Sequence, residues 1–444
     1  MATGLYSSPY DYGNQKIEIR SPVGRFETID VSFQVVEFSF FENVATPYVT
    51  GNIVISDSSN IYNHVNFIGQ EAIDFIIKDV NDKTFLKKSF VITGVERYKK
   101  GNDSVAYIVL NFTEEHQLTS EITRFSKTYQ GKIETIISNI ISENLNKQVE
   151  VESSFQNAIR YLAPYTMSPI EMSKMLAGRI TTAKGSPFYL YSSLAEESLR
   201  LQSLESMLDD SLYPSLEFMY ISPTSIHESD LDTLGTIILA MSMSKNENVI
   251  GLMRNNVFGS QHLWLDTNKT ISTELRHRFD QSVNDLPRIN GTTNYDFDFA
   301  VNSKAYHQGV SSMCSYVTTT GLFDNVNSLH EETVSDNHQK KVQSKSFKSL
   351  IGKTQMDVTI PGYHFMKSPT RILGKMIRMY VPKNIVPTDE ANVNRNSLAD
   401  KKLTGKYLVF AARHVFKNGK YHVTTNVSKY DNLNNLSKER LNVV

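Results

Sequence analysis

At 444 residues, 40% hydrophobic and 21% charged, the chain has length for about two to four folded domains and is too apolar to be mainly disordered. Lys+Arg 46 against Asp+Glu 47 leaves a formal charge of −1, so no overall basic excess marks a nucleic-acid binder. The single cysteine, Cys314, excludes an internal disulfide framework and a cysteine-based zinc site.

The first residues carry neither the basic nor the apolar region of a signal peptide. No run approaches ~18 apolar residues, the best being Leu234 to Met243, so no membrane-spanning segment is predicted. With 22 Tyr, 23 Phe and only 13 Pro, the composition leans toward strands.

Residues 1–13 read as a polar and aromatic arm. From Lys16 the sequence alternates: Ile17 and Ile19 share one face, and Val31, Phe33 and Val35 another, with Phe38 and Phe40 continuing the pattern. Further strands are predicted at Tyr48–Ser56, Ala72–Lys78, Phe90–Tyr98 and Ser104–Phe112, with a short helical period at Ile61, Val65 and Ile68. Residues 14–118 therefore read as one antiparallel β-barrel with a single helix.

The pattern then changes. Ile133, Ile136, Ile137, Ile140 and Ile141 form the stripe of an amphipathic helix, and Ser168-Pro-Ile-Glu-Met has the N-cap, first-turn proline and third-position glutamate that open a second, expected from about Pro169 to Thr182. Gly185–Ser192 reads as a strand, and Glu196–Leu208 as helix or loop. Leu216–Ile221 reads as a strand, Thr233–Leu252 is ambiguous, and strand-like pieces occur at Phe297–Val301 and Tyr306–Val310. A basic helix, Gln343–Gly352, leads into alternating Met356, Val358 and Ile360.

The two ends of the chain resemble each other. Phe90-Val-Ile-Thr-Gly-Val-Glu-Arg-Tyr, a Gly/Asn turn and Ser104-Val-Ala-Tyr-Ile-Val-Leu match Tyr407-Leu-Val-Phe-Ala-Ala-Arg-His-Val, a second Asn-Gly turn and Lys420-Tyr-His-Val-Thr-Thr-Asn-Val. Upstream, Ile55 to Ile73 and Thr359 to Ile377 both span 18 residues. The extra residues of the second copy fall in the polar loop from Asn384. The predicted class is thus mainly β with an α+β insertion. Two homologous antiparallel barrels, at 14–118 and at 214–225 with 341–430, enclose an inserted α/β domain at 119–213 and 226–340, and 431–444 is a tail. Three such chains would fill a pseudo-sixfold ring.

Catalytic constellations are absent. His330-Glu-Glu-Thr-Val334 fails the zinc-protease pattern at its fifth position, and Gly352-Lys-Thr354 lacks the first glycine of a phosphate loop, Phe347 standing there. Cys314 with His307 could be nucleophile and base, but a thiol in a strand is the simpler reading. His414 and His422 are expected to face each other across the last hairpin, as a stacked pair or two ligands lacking a third. Arg276-His-Arg278 and His338-Gln-Lys-Lys341 are short basic patches read as solvated loop or as contacts to an acidic partner or passing DNA, and Trp264 reads as core or subunit contact. No catalytic, cofactor-binding or metal residue is assigned, and no cofactor is expected.

The order of parts, with Gly51-Asn-Ile-Val-Ile-Ser-Asp-Ser58, Gln70-Glu-Ala-Ile, Ser168-Pro-Ile-Glu-Met, Ser186-Pro-Phe-Tyr-Leu-Tyr, Gly405-Lys-Tyr-Leu-Val and Tyr421-His-Val-Thr-Thr, resembles the baseplate central hub subunit of contractile-tailed, T-even-like bacteriophages over roughly residues 15 to 430. The sequence departs from that family at Asn384–Asp400 and at 253–335. The resemblance implies a structural virion component: a homotrimer of tube-type barrels in the tail baseplate, assembled in the host cytoplasm, between the tail tube protein or tube initiator and the central spike protein. It also implies contacts to other baseplate proteins and transient passage of tape-measure protein and DNA, with subunit interfaces above about 2,000 Å². A near-neutral total charge suits such a channel. The alternatives are a phage-associated cell-wall hydrolase, expected to show two converging carboxylates; a host-binding adhesin, with aromatic clusters on long loops; and a spike-type component of a related injection system, with a repetitive β-helix. On the hub reading, charge introduced around Val54, taken as the inter-barrel strand, should weaken assembly.

Overall fold

A computed structural model describes residues 8–65, 67–100, 106–156, 158–212, 216–220, 231–246, 250, 259–266, 271–278, 300–301, 304–305, 313–318, 335–352, 354–383, 399–400 and 403–429. The first part contains β1 (Gln15–Arg20), β2 (Ile29–Asp30), β3 (Val35–Asn43), β4 (Thr50–Asp57), α1 (Ile61–His64), β5 (Ala72–Lys78), β6 (Thr84–Lys100) and β7 (Ala106–Thr113). Alternation drives these strands: in β4, Gly51, Ile53, Ile55 and Asp57 turn inward while Thr50, Asn52, Val54 and Ser56 do not. The sheet rolls over its own apolar face, so Phe40 of β3 lies with its ring 5.0 Å from Phe75 of β5 and 5.6 Å from Phe112 of β7. One expectation fails here. Val31 is buried, but Phe33 lies in a turn before β3 and is 100% exposed, because the chain reverses at 32–34 instead of continuing as a strand.

Gly51 shows how closely this barrel is packed. A Cβ there would sit 2.3 Å from the Phe112 ring and 2.4 Å from the Ser39 carbonyl oxygen, and the backbone oxygen cannot step aside. Gly51→Ala is expected to lower stability by about 1–3 kcal/mol in denaturant unfolding, as an overpacked core does. An unchanged midpoint would show that β3 and β4 separate easily.

The insertion runs through α2 (Glu115–Ile122), β8 (Thr128–Gly131), α3 (Ile133–Leu145), β9 (Val149–Val151), β10 (Ile159–Leu162), α4 (Pro169–Ala177), β11 (Phe188–Tyr191), β12 (Leu199–Ser203) and α5 (Leu204–Asp209). It has its own core, in which all five isoleucines of the α3 stripe are buried with Ile170, Met172, Leu176 and Ile180. The capping box at the start of α4 forms as its sequence requires: the Glu171 N–H donates to Ser168 Oγ and the Ser168 N–H to Glu171 Oε2. This helix stops at Gly178 rather than near Thr182. Glu196–Leu208, expected as helix or loop, instead contains the strand β12 before the helix α5, because Leu199 and Leu201 alternate into the core beside β11.

The last part holds β13 (Phe218–Met219), α6 (Leu231–Leu234), β14 (Ala240–Asn246), β15 (Gly259–Asp266), β16 (Ile271–Arg278), β17 (Ala300–Val301), β18 (Lys304–Ala305), β19 (Met313–Thr318), α7 (Ser335–Ile351), β20 (Thr354–Pro361), α8 (Tyr363–Lys367), β21 (Met376–Tyr380), β22 (Gly405–Lys417) and β23 (Lys420–Lys429). Its sheet repeats the first. The pairings β3–β4, β4–β7, β7–β6 and β6–β5 recur as β14–β20, β20–β23, β23–β22 and β22–β21, with α1 and α8 in corresponding places.

The register repeats too. Ile73 opposes Phe90 as Ile377 opposes Tyr407, and the bulge between Ile92 and Gly94 recurs between Val409 and Ala411, placing Asn111 and Asn426 alike. The same register corrects the sequence match by one residue. Asn52 faces Asn111 and Asp357 faces Asn426, so the equivalent of Ile55 is Ile360, which is buried, and not Thr359, which is on the other face.

The two copies are not separate bodies. β3 and β22 pair antiparallel, giving one 13-stranded sheet whose main path runs β14-β20-β23-β22-β3-β4-β7-β6-β5-β1-β2. One apolar interior extends from Ile17 in β1 to Val427 in β23. Within the described residues, Ser8–Tyr12 of the arm lies on the last hairpin: the Tyr421 N–H donates to Tyr10 O (2.7 Å) and the Tyr12 N–H to Gly419 O (3.2 Å).

Candidate functional site

The seam between the two copies is where charge, burial and connectivity converge. On its core side, Phe38 stacks on Phe416 with ring centroids 4.6 Å apart, and Phe416 on Tyr421 at 4.2 Å. In the same layer His414, fully buried, has Nδ1 2.7 Å from Tyr421 Oη and Nε2 3.2 Å from Glu42 Oε1. The other Glu42 oxygen accepts from the Leu194 N–H (2.8 Å) and the Ser193 hydroxyl (3.2 Å). One proton arrangement satisfies every group: Tyr421 O–H donates to Nδ1, and Nε2–H donates to the carboxylate. Glu42 thus ties β3, β22, β23 and the insertion together at one buried point.

A second junction repeats the logic. Buried Arg371, between α8 and β21, donates to Tyr191 Oη, to Gln202 Oε1 (2.7 Å) and to Asp210 Oδ2 (2.7 Å), joining β11, β12 and the end of α5 to the second copy. Lys375 adds a contact to Asp210 at 3.2 Å. Burial pushes the Tyr191 phenol well above its ordinary range, so it stays a neutral partner to the guanidinium.

The opposite face of the seam is a lattice of mostly polar side chains in straight rows. Thr359, Thr424, Arg413, Phe41 and Thr50 oppose one another strand by strand, as do His422, Val415, Ser39, Asn52 and Asn111 in the next row. Lys417 meets Glu37 at 2.7 Å, Asn426 donates to Asp357 Oδ1 at 2.7 Å, and the Arg413 guanidinium lies 5.3 Å from the Phe41 ring centre. A groove of about 450 Å³ opens on this face beside Tyr48, Arg413 and Asp357.

Two of the strand edges among the described residues correspond to the pair joined at the seam. β14 ends the sheet and pairs only with β20, while β6 pairs with β5 only as far as Val91, so its half from Thr93 to Lys100 is bonded on the β7 side alone. Exposed apolar side chains gather at both: Tyr98, stacked 4.4 Å from Tyr62, with Ile68 near β6, and Leu239 with Met243 at β14.

With this geometry in hand, solved structures give a match. The prophage MuSo2 43 kDa tail protein from Shewanella oneidensis aligns over 94% of this chain and 98% of its own, with TM-score 0.53 and 9% identity. The tail protein from Neisseria meningitidis MC58 aligns over 94% and 97%, with TM-score 0.52 and 8% identity. The chain shares its fold with these two tail proteins. A type VI secretion system component from E. coli superimposes more loosely, with TM-score 0.42, 10% identity and coverage of 89% and 74%. No family model and no curated relative matches the sequence.

In this tail-protein fold most residues singled out from sequence lie apart. His414 and His422 do not face each other: His414 opposes Val423 and His422 opposes Val415, so consecutive register positions send them to opposite faces, one buried and one on the polar rows. Val54 is not on the joining strand. β4 lies between β3 and β7, Val54 facing Glu37 and Val109, and β3 is the strand that meets β22. Cys314 and Trp264 sit in the paired strands β19 and β15, while His307, His330–Val334 and the loop 384–398 fall outside the described residues.

Gly352 follows the end of α7, with β20 starting at Thr354, a helix-to-strand junction as expected. The basic stretches Arg276–Arg278 and His338–Lys341 lie on β16 and α7, which pack together. Among the described residues no group of three or more His, Cys, Asp or Glu could hold a metal ion, and no helix is long and apolar enough to cross a membrane.

Three histidines make stability depend on pH. Burial holds His116 (whose Nε2 is 2.6 Å from Pro47 O), His364 and His422 below the ordinary imidazole range, with Arg413 and Lys417 adding to the shift at His422. The unfolded chain then takes up these protons first as pH falls below the ordinary imidazole value of 6.5, so this stability is present above 6.5 and is lost on the way down to the folded values. The denaturation midpoint is expected to be lower at pH 5.5 than at 7.5, with a shallower pH dependence in His116→Gln. A flat midpoint across that window would contradict it.

Proposed function

We propose that the chain is a non-enzymatic structural hub of a phage tail baseplate. Three copies form a pseudo-sixfold ring that joins the tail tube protein or tube initiator to the central spike protein, contacts other baseplate proteins, and lets tape-measure protein and DNA pass. The observation that carries this is the unused half of the duplication. Within one chain, the β3-type edge of the first copy bonds the β22-type edge of the second; the corresponding edges, β14 and the far half of β6, are left without partners among the described residues. Such a contact is head-to-tail and propagates until it closes, and a ring of six modules is three two-copy chains.

The internal seam also predicts the register between chains. Arg97 and Arg413 are equivalent, since they face the equivalent residues Val109 and Thr424, and Phe40 and Met243 are equivalent through Gly51 and Met356. As His414 opposes Phe40 inside the chain, Tyr98 of one copy opposes Met243 of the next, covering two side chains that are 43% and 54% exposed alone. The tail-protein fold of the two matched structures supports a tail role and says nothing about copy number.

Mass measurement of the native protein tests the ring. A threefold mass is expected, falling to monomer in Met243→Lys while the circular dichroism spectrum is kept. A wild-type monomer at micromolar concentration would overturn the proposal.

A further inference from the structure

The face that would line the channel has a charge the total composition conceals. On this face lie Arg97, Lys99, Arg413, Lys417 and Lys420 against three carboxylates, Glu37, Asp357 and the bulge residue Glu96. Glu37 and Asp357 already have partners, Lys417 and Asn426. Glu96, beside Arg97 in the β6 bulge, offsets one cation there, and the cations still outnumber the carboxylates. The whole chain has a formal charge of −1, yet this face is clearly positive.

Around the cations stand Thr50, Asn52, Asn111, Thr359 and Thr424, short neutral side chains. His422 on the same rows is held neutral by burial first, with Arg413 and Lys417 adding to it.

We propose that this face contacts the phosphodiester backbone of double-stranded nucleic acid by sparse, sequence-independent charge pairing. The proposal rests on the ring of the preceding section, whose interior this face would form. A polyanion is the occupant that charge complementarity selects. Cations spread along rows suit a repeating phosphate ladder, and the neutral residues between them offer no base-specific grip. Few cations per turn of duplex give weak attachment that steers the duplex without arresting it.

The test is binding of a fluorescent 30-base-pair duplex to the full chain at several salt concentrations, with mass read on the same samples. Arg97→Gln with Lys99→Gln, both exposed, is expected to weaken association about tenfold at low salt and to flatten the logarithmic salt dependence by about 2. Lys345→Gln, an exposed lysine on α7, is expected to change neither. Equal losses in both variants, no duplex binding by an intact trimer, or tighter binding of polyglutamate than of duplex would each overturn the proposal while leaving the ring standing. A monomer that binds duplex through Arg97 and Lys99 would keep this inference and defeat the ring.

Discussion

His414→Ala is expected to destabilise the protein by about 3–5 kcal/mol, a large part of the 5–15 kcal/mol that folded domains typically possess. The substitution removes the donor to Glu42 Oε1 and the acceptor of the Tyr421 hydroxyl, both fully interior, and leaves a hole the size of an imidazole. A buried carboxylate that loses one of its three hydrogen-bond donors is the dominant cost, because water cannot replace the lost partner without opening the seam. Glu42→Gln should be milder: the amide oxygen can accept from Leu194 N–H and the volume is kept, but no charge-assisted bond to His414 remains. The measurement is urea unfolding of both variants. If His414→Ala costs under about 1 kcal/mol, the triad is not what closes the seam, and stacking of Phe38 on Phe416 must suffice.

These residues also show what sequence could and could not reveal. The duplication was legible because strand alternation and the Gly/Asn hairpins are local, and a repeated register leaves a repeated pattern in the letters. The five isoleucines of α3 and the capping box of α4 were legible for the same reason.

Glu42 carries a signal in the sequence, though not one that names its partners. Phe38, Phe40 and Glu42 share one parity of β3, so a carboxylate at that position points inward and requires donors. Those donors come from residues 152 and 372 positions away, which no local pattern identifies. Arg371 was hidden likewise, its partners lying on three elements of the insertion. Phe33 went wrong because alternation continues through a turn as readily as through a strand. His422 went wrong because hairpin register depends on the turn, and a one-residue difference reverses the face.

Phe40→Ala is the other change with a large expected effect, about 3–5 kcal/mol. The ring lies 5.7 Å from Phe38, 5.0 Å from Phe75, 5.4 Å from Phe90, 5.6 Å from Phe112 and 6.1 Å from Phe416, so its loss removes contacts in both copies at once. This makes the substitution a test of whether the two barrels act as one body. With a continuous interior and a seven-residue seam, unfolding should show a single transition, and Phe40→Ala should lower that whole transition, fluorescence and circular dichroism moving together. Two separable modules would instead show two transitions, with only the first-copy one shifted. A ring built from rigid thirds requires the former, since a flexible seam would let β14 and the far half of β6 meet at variable angles and the assembly would fail to close.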